Sequence, residues 1–306
     1  MRALLVSNPK ATTTSARARD VVAHALASEV KLDVVETTHR GHAVELAHQA
    51  VLDGLDVVVA LGGDGTVNEV VNGLLAEGTG PEVPALAVVP AGSTNVFARA
   101  IGLPNSPIEA TSQLLEGLLA DRRRTIGLGR ADDRWFTFNA GLGLDAGAVR
   151  RVEAARAKGR PATQPLYVRS ALREYFVGPA KKAPLLTLER PGAEPLRLSL
   201  VLISQTDPWT FLGVRPVRPC PDASFDTGLD VFGLTELPML SVLRQLRQIL
   251  TPGARPKGKH VVSLHDLAGF TLTADSALPF QLDGDDLGDR TSVVFTAVPD
   301  ALQVIV

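Results

Sequence analysis

The sequence predicts two domains: an α/β domain with a parallel sheet, followed by a mainly antiparallel β-sandwich. The chain has 306 residues, more than one domain usually contains. Its first third alternates short apolar runs with helical periods, and beyond Gly127 short segments of alternating polarity replace them. We therefore expect domains at residues 1–127 and 128–290, with the final strand, 291–306, packing back on the first domain.

Strands and helices alternate throughout the predicted first domain. Buried strands of a parallel sheet appear in a sequence as nearly continuous apolar runs, and the helices between them show a longer period. The predicted strands are Ala3–Val6, Lys31–Glu36, Asp56–Leu61 and Ala85–Pro90. The predicted helices are Ala16–Ser28, Ala43–Leu52, Val67–Leu75 and one that opens near Thr94. This order is typical of βαβ units whose helices cover both faces of the sheet.

The predicted second domain consists of short strands separated by Gly, Pro and Asp. Segments such as "RWFTFNAGLGLD", "LRLSLVLIS" and "SVVFTAVP" alternate apolar and polar residues, as antiparallel strands with one buried face do. Two helical stretches interrupt these segments, Ala146–Phe176 and Leu240–Leu250.

Composition limits the partners and the compartment. The net charge of -2 gives no electrostatic reason to expect a nucleic acid partner. Cys220 is the single cysteine, so no intrachain disulfide can form and a reducing compartment fits best. No segment approaches the ~18 apolar residues of a membrane-spanning helix. We expect a cytoplasmic protein without a transmembrane segment, and a peripheral contact with the inner face of the membrane stays open.

Three glycines and an aspartate follow the third predicted strand in "LGGDGTVNE". Gly62, Gly63 and Gly65 allow a ligand to approach backbone N–H groups, and the N-terminus of the following helix favours an anion. Asp64 would repel a bare phosphate, so it suggests a phosphate bound together with Mg²⁺, as in a Mg-nucleotide. The alternative is that Thr66 and Glu69 form a capping box that only starts the helix.

A second loop of the same kind follows the next strand, in "VVPAGSTNVFARAIGLP". Gly92, Ser93, Thr94 and Asn95 place small hydrogen-bonding residues at another junction of strand and helix. Consecutive parallel strands are usually neighbours, so the two loops are expected to lie side by side and to enclose one nucleotide. A simple N-cap with a tight turn would explain Ser93 or Thr94 alone.

Together, "GGDGTVNEVVNGL" and "PAGSTNVFARAIGLP" resemble the diacylglycerol kinase catalytic-domain family, in particular the bacterial soluble lipid kinases, which are related to sphingosine and ceramide kinases. The likeness begins at "SNPKA" and ends at "QLDGDDLG", so it covers nearly the whole chain. "GGDGT" alone is shared with NAD kinases. The resemblance implies an ATP-dependent enzyme of the NAD-kinase and lipid-kinase fold, a phosphotransferase with an alcohol group as acceptor.

The resemblance also implies which residues bind ATP. The "NP" turn falls on Asn8 and Pro9, and a threonine before "GHA" falls on Thr37. The phosphate-binding turn comprises Gly62, Gly63, Asp64, Gly65, Thr66 and Asn68. In the second loop Ser93 replaces a threonine and keeps its hydroxyl, and Asn95 precedes Val96 where the family often has aspartate.

The catalytic base implied by the resemblance is the acidic residue of a "DGE" motif, which matches "LDGDD". Asp285 stands where the family has glutamate, with Asp283 as the other acid of the motif and Asp286 as a fallback. Asp285 is one methylene shorter than glutamate. Its acidity would suit a base, but its carboxylate must still come within hydrogen-bond distance of the substrate hydroxyl. The alternative is an acidic hairpin turn, because Asp-Gly is a favoured hairpin dipeptide.

A second Mg²⁺ site is implied at the family's "DGxLD" motif. Here "DTGLD" places Asp226 at the ligand position, with Asp230 after the leucine. The backbone carbonyls of Ala223 and Gly228 would be the other ligands. Thr227 replaces the glycine of the motif, which argues for a weak or missing site.

Two features bear on a membrane surface, where a lipid substrate would be presented. Leu240, Leu243, Leu246 and Leu250 share one face of a predicted helix that also carries arginines. Such a row more often packs on the protein's own core, the interpretation that we favour. A basic run begins at Arg150 and continues to Arg169, Arg173, Lys181 and Lys182, and is either a headgroup site or a solvated helix face.

We conclude from the sequence that the protein is an ATP-dependent lipid kinase, with diacylglycerol the expected acceptor and phosphatidic acid the product. ATP and Mg²⁺ are the expected cofactors, and the soluble bacterial relatives suggest a homodimer. One alternative is an NAD kinase, although "NVFAR" stands where a nicotinamide ribose site would show an "NE" or "ND" pair. The other is a catalytically impaired regulator that binds nucleotide or lipid.

Overall fold

The computed structural model describes residues 1–9, 11, 16–158, 163–177 and 185–306. Lys181 and Lys182 of the basic run lie outside the described residues. The chain divides into two compact units, one formed by Met1–Leu128 with Pro299–Val306 and the other by Gly129–Val298. The sequence predicted divisions after residues 127 and 290, and the structure divides the chain after residues 128 and 298.

The first unit contains a parallel sheet. Its strands are β1 (Arg2–Ser7), β2 (Lys31–Glu36), β3 (Val57–Gly62), β4 (Ala85–Pro90) and the end of the long last strand β16 (Asp285–Ile305), in the order β2-β1-β3-β4-β16. Every residue of β3 and β4 is buried, which explains their continuous apolar runs. The helices are α1 (Ala16–Ala27), α2 (His42–Leu52), α3 (Asp64–Leu74), α4 (Val96–Ala100) and α5 (Pro107–Leu119).

Two helices of this unit differ from the prediction. Helix α3 begins at Asp64 and not at Val67, because Gly63 is extended and already serves as its N-cap. Helix α5 was not predicted, although its start has a recognisable signal: the Ser106 hydroxyl accepts the Glu109 N–H, and Pro107 occupies the first position.

The second unit is mainly an antiparallel sheet with the strand order β14-β13-β10-β7-β15-β16. Strand β5 (Arg123–Ala131) enters the unit and pairs with β6 (Arg134–Phe136). The other strands are β7 (Asn139–Leu142), β8 (Leu186–Glu189), β9 (Leu196–Leu198), β10 (Leu200–Ser204), β11 (Thr210–Leu212), β12 (Arg215–Val217), β13 (Leu229–Leu234), β14 (Val261–Leu267) and β15 (Gly269–Leu282). The predicted fold class is confirmed.

Three helices belong to the second unit: α6 (Leu144–Ala157), α7 (Gln164–Val177) and α8 (Met239–Ile249). The helical stretch predicted over Ala146–Phe176 contains two separate helices, α6 and α7, which pack against each other. No helix in the described part of the chain is long and apolar enough to cross a membrane.

Candidate functional site in two parts

The glycine loops after β3 and β4 touch through their backbones. The strands pair in parallel with Gly62 opposite Pro90, so both end at the same level, and the Ala91 N–H donates to the Gly62 carbonyl (2.8 Å). A Cβ added to Gly92 would lie 2.6 Å from the Gly63 Cα, and one added to Gly63 would lie 3.1 Å from the Gly92 Cα. The predicted neighbourhood of the two loops is thus confirmed; a Cβ at Gly92 would force the loops apart, and a Cβ at Gly63 would be tightly confined.

Asn95 shapes the second glycine loop from within. It adopts the left-handed conformation (φ 50°) and is 3% exposed. Its Oδ1 accepts the Gly92 N–H (2.8 Å), and its Nδ2 donates to the Gly92 carbonyl (2.9 Å) and to the Asn105 Oδ1 (2.7 Å). These contacts fix the loop from inside, while Ser93 at its tip is exposed. Of these two predicted nucleotide-binding residues, Ser93 is the one whose side chain faces solvent.

Asp64 joins the two glycine loops. It lies in the first turn of α3, half-buried, and its Oδ1 accepts the Phe97 N–H at the start of α4 (3.1 Å). Burial lowers the pKa of the Arg99 guanidinium, and the negative charge of Asp64 opposes that shift. The carboxylate therefore has a structural role in addition to any ligand that it binds.

The remaining predicted nucleotide-binding residues of this unit lie in the first glycine loop, in α3 or just after strands β1 and β2. The Asn8 Nδ2 donates to the Thr66 Oγ1 (3.2 Å), and Thr66 packs on Gly62 so closely that a Cβ there would lie 2.5 Å from its hydroxyl. The Thr37 N–H donates to the Ser7 carbonyl (2.8 Å), Pro9 is exposed and Gly65 is half-buried in the first turn of α3. Asn68 is 1% exposed within α3, so its side chain lies among protein groups.

The capping-box alternative for this turn was wrong. Gly63 caps α3 without a side-chain hydrogen bond. Glu69 instead accepts the Gly41 N–H (3.0 Å), which ties the turn before α2 to the side of α3.

These residues fit a nucleotide phosphate. The close approach of Gly63 and Gly92 leaves no side chain over the strand ends, and the start of α3 favours an anion there. A carboxylate such as Asp64 also fits Mg²⁺, which is commonly held by one or two carboxylates together with substrate phosphates.

The acidic motif of the second unit forms a tight hairpin between β15 and β16. Asp283 and Gly284 are its two central residues, with φ of 50° and 84°, as in a type I′ turn. Asp283 is 5% exposed. Its carboxylate accepts four hydrogen bonds, from the Thr137 N–H (2.7 Å) and hydroxyl (2.9 Å), the Phe138 N–H (3.0 Å) and the Asn139 N–H (3.1 Å). This environment suits an anchor of the hairpin and argues against Asp283 as the base.

Asp285 begins β16 directly after the turn, opposite Leu282, and is half-buried. Its neighbour Asp286, the fallback candidate, is held by Arg150 through two hydrogen bonds of 2.9 and 3.1 Å. The hairpin alternative and the catalytic interpretation are compatible, because the anchored turn fixes the position of the residue that follows it.

A buried polar chain beside this hairpin was missed by the sequence analysis. Gln281, 1% exposed, donates from Nε2 to the Asn139 Oδ1 (3.1 Å) and the Asp145 Oδ2 (2.8 Å), and its Oε1 accepts the Gly284 N–H (2.9 Å). Asn139 in turn donates to the Trp209 carbonyl (2.9 Å). Burial raises the pKa of Asp145 to about 7, and the hydrogen bond from Gln281 opposes this shift.

Asp226 of the predicted second Mg²⁺ site lies in the turn before β13. Asp226 is exposed, and its N–H and carboxylate are bonded to the Ser224 hydroxyl. The Gly228 carbonyl accepts the Thr227 hydroxyl (3.5 Å), and Asp230 accepts a hydrogen bond from His265 (2.8 Å). No group of three or more His, Cys, Asp or Glu within the described ranges could hold a metal ion. The Thr227 hydroxyl is nearer to the Ser224 carbonyl (3.2 Å) than to the Gly228 carbonyl, and the second Mg²⁺ site, with one carboxylate and two backbone carbonyls, stays a prediction.

Comparison with known sequences supports the family resemblance. The family model for the diacylglycerol kinase catalytic domain matches residues 2–129. A diacylglycerol kinase of Bacillus subtilis (strain 168) is 41% identical over 108 residues, 35% of this chain and 33% of that protein. A diacylglycerol kinase of Staphylococcus aureus (strain JH9) is 26% identical over 249 residues, 80% of this chain and 73% of that protein. The match thus spans a third of the Bacillus subtilis protein and most of the Staphylococcus aureus protein.

Solved structures share the fold over the whole length. Two crystal structures from Bacillus anthracis str. Sterne match with TM-scores of 0.78 and 0.73 at 18% and 17% identity, each over 99% of this chain and 96% of that chain. The second is described as a diacylglycerol kinase. An NAD kinase from Archaeoglobus fulgidus, crystallised in complex with ATP, matches with a TM-score of 0.52 at 12% identity over 100% of this chain and 94% of that chain. The predicted likeness to both kinase folds is confirmed.

Proposed function

We propose that the protein transfers the γ-phosphoryl group of ATP to the free hydroxyl of diacylglycerol, giving phosphatidic acid, in line with the match of residues 2–129 to the family model of the diacylglycerol kinase catalytic domain. The relatives place the protein in one class of enzyme, the kinases that transfer a phosphoryl group to an alcohol. The observation that carries the proposal is the backbone contact between Gly63 and Gly92 beside the N-terminus of α3, where backbone N–H groups favour an anion.

In this proposal the first unit binds the donor. Amides of the turn from Gly62 to Thr66 hold the phosphates, and Asn8 and Ser93 contact the nucleotide from either side. Asp64 is the residue that would hold Mg²⁺. Bound Mg²⁺ supplies positive charge that neutralises the phosphates during transfer.

The second unit supplies the base. Phosphoryl transfer depends mainly on positioning, and the acceptor hydroxyl must lose its proton. Asp285 would accept that proton, since it follows a turn that four hydrogen bonds to Asp283 hold in place. The cytoplasmic location, the homodimer and the absence of a nucleic acid partner stay predictions.

The test is the phosphorylation of detergent-dispersed diacylglycerol by purified protein with ATP and Mg²⁺. We expect phosphatidic acid from the parent, and a loss of kcat by about a hundredfold or more in Asp285→Asn, because a positioned base contributes on this order. Asp133→Asn is the matched control, since Asp133 is an exposed carboxylate of the same unit and should leave kcat unchanged.

Other outcomes distinguish the alternatives. Phosphorylation of NAD in place of lipid would make the protein an NAD kinase, the other family with this fold. ATP binding without turnover of diacylglycerol or NAD would favour the regulator. Full activity of Asp285→Asn would contradict the assignment of the base.

A further inference from the structure

Arg150 of helix α6 is bound to the acidic hairpin. Its Nε and Nη2 donate to the two carboxylate oxygens of Asp286 (2.9 and 3.1 Å), and its Nη1 lies 2.7 Å from the Asp289 Oδ1. The hydrogen bond to Asp286 is the largest cause of the raised pKa of the Arg150 guanidinium. Arg150 begins the basic run for which the sequence indicated a headgroup site or a solvated helix face. The structure instead pairs this first residue of the run with two carboxylates.

The contact between Arg150 and Asp286 restrains the hairpin strongly. A bidentate contact between a guanidinium and a carboxylate fixes orientation as well as distance. The Arg150 side chain is 33% exposed and that of Asp286 20%, so solvent screens the pair only in part. The same helix also restrains the backbone here, because the Asp286 N–H donates to the Glu153 Oε2 (3.2 Å). Asp286 is thus held by α6 at both its side chain and its backbone.

Helix α6 also holds the opposite strand of the hairpin. Gln281 of β15 stands opposite Asp286 in the strand register. Its Nε2 donates to the Oδ2 of Asp145 in the first turn of α6 (2.8 Å), and its Oε1 accepts the Gly284 N–H (2.9 Å). Both chain neighbours of Asp285, Gly284 and Asp286, are therefore restrained by contacts that lead to α6.

The strand register separates the two consecutive acids Asp285 and Asp286. Successive side chains of a strand point to opposite faces, and residues opposite each other in the register share a face. Gln281 and Asp286 form one such pair, and both bond to α6. Leu282 and Asp285 form the next pair. The α6 contacts thus commit Asp286 to one face and leave Asp285 on the other.

We propose that Arg150 is a positioning residue for the base, an inference that rests on the proposed function because Asp285 is the base only if the chain is a kinase. Arg150 acts through Asp286 and holds β16 in the arrangement that presents Asp285 to the acceptor hydroxyl. It also offsets charge, since residues 283–289 include four aspartates. Without the guanidinium, Asp286 and Asp289 would repel the other carboxylates of the hairpin, and the start of β16 would shift.

The test measures the steady-state kinetics of phosphatidic acid formation by variants of the full chain, with ATP, Mg²⁺ and detergent-dispersed diacylglycerol. Arg150→Gln should lower kcat about tenfold, because a misplacement of about 1 Å can cost up to a hundredfold in rate. The KM for ATP should stay that of the parent, since the proposed nucleotide-binding residues lie in the first unit. Arg150→Lys keeps the charge without the planar fork and should lose less than Arg150→Gln.

A double-mutant cycle tests whether Arg150 acts through Asp286. Asp286→Asn should also lower kcat about tenfold, and the variant that combines both changes should lose no more than either alone. Asp286→Asn keeps the shape of the side chain, so it tests the same link if Arg150→Gln fails to fold. The matched control is Arg151→Gln, because Arg151 is the next residue of α6 and pairs with Glu174 of α7. This control should keep the kcat of the parent.

Each result decides the proposal. A parent-like kcat in both Arg150→Gln and Asp286→Asn would overturn it, and so would an equal loss in Arg151→Gln or multiplied losses in the double variant. A hundredfold loss in Asp286→Asn with full activity of Asp285→Asn would make Asp286 the base and overturn it as well. An active parent with unaffected Arg150 variants refutes the role of Arg150 alone, whereas a parent that forms no phosphatidic acid refutes the proposed function and this role together.

Discussion

The glycine loops of the first unit and the aspartate hairpin of the second are built in opposite ways. In the glycine loops the backbones themselves meet, at Gly63 and Gly92, and a side chain at Gly92 would force them apart. In the hairpin, buried side chains do the positioning, with Asp283 accepting four hydrogen bonds. The comparison teaches that the first region is sensitive to an added atom and the second to a removed acceptor.

The largest effect is expected from Asp283→Ala. The substitution removes the acceptor of three backbone N–H groups and the Thr137 hydroxyl, all in a buried site. Each buried donor left without a partner costs roughly 1–3 kcal/mol. We expect the free energy of unfolding to fall by about 4 kcal/mol, measured by chemical denaturation.

Asp132→Ala is the matched control for this prediction. Asp132 is also an aspartate with positive φ (53°) in a hairpin turn, but it is exposed and accepts one hydrogen bond, from the Val294 N–H (2.9 Å). Its loss should cost about 1 kcal/mol. Equal losses in the two variants would mean that turn conformation, and not the buried acceptor, accounts for the effect.

A smaller effect is expected from Gly92→Ala, which tests the other side of the comparison. The new Cβ would lie 2.6 Å from the Gly63 Cα and 2.8 Å from the Asn95 Oδ1, so the two loops must separate. Overpacking of this kind costs roughly 2 kcal/mol. We expect this loss in the free energy of unfolding. We also expect ATP binding, measured by calorimetry, to weaken about tenfold, which corresponds to about 1.4 kcal/mol, because the backbone N–H groups of the two loops would be displaced.

Gly80→Ala provides the control. A Cβ at Gly80 would meet nothing within 4 Å, and its φ is not in the left-handed region. This variant should bind ATP like the parent. If Gly92→Ala also bound ATP like the parent, the contact between the loops would not be part of the nucleotide site.

The same contrast explains what the sequence could predict. The sequence analysis found Gly62, Gly63 and Gly92 because they stand at or just after the end of an apolar strand. A glycine at such a position can be recognised from its neighbours in sequence alone. Gln281 and Asp145 were missed because they are 136 residues apart and meet only through the pairing of β15 with β7 and the helix that follows β7. The role of Asp283 was likewise hidden, because its partners at Thr137–Asn139 are distant in sequence.

Helix α8 shows a different limit of sequence reasoning. The spacing of its leucines correctly predicted a helix, but this spacing does not say which face of the helix is buried. The sequence analysis favoured a leucine row packed on the core, and this interpretation was wrong: Leu240, Leu243 and Leu246 are 84%, 54% and 43% exposed. The tertiary contacts of Gln245, whose Nε2 donates to the Lys257 carbonyl (3.3 Å), decide that the leucines face outward.

The effect that is smallest per unit of the variable changed, about 1 kcal/mol per pH unit, concerns the titration of Asp145 beside the hairpin. Burial raises the pKa of Asp145 to about 7, from 3.8. Between these two values the folded protein holds a proton that the unfolded chain has lost, so the stability from Asp145 is complete below pH 4 and is lost as pH rises to about 7. Asp145→Asn removes this dependence.

We therefore expect the free energy of unfolding of the parent to fall by about 1 kcal/mol per pH unit near pH 5.5, relative to Asp145→Asn, and the difference to level off above pH 7. The Asn side chain can still accept the Gln281 hydrogen bond, so the comparison isolates the proton. Asp133→Asn, at an exposed position, should keep the slope of the parent. Parallel curves for the parent and Asp145→Asn would mean that Asp145 titrates in its ordinary range, and that the hairpin region acts on stability through hydrogen bonding alone.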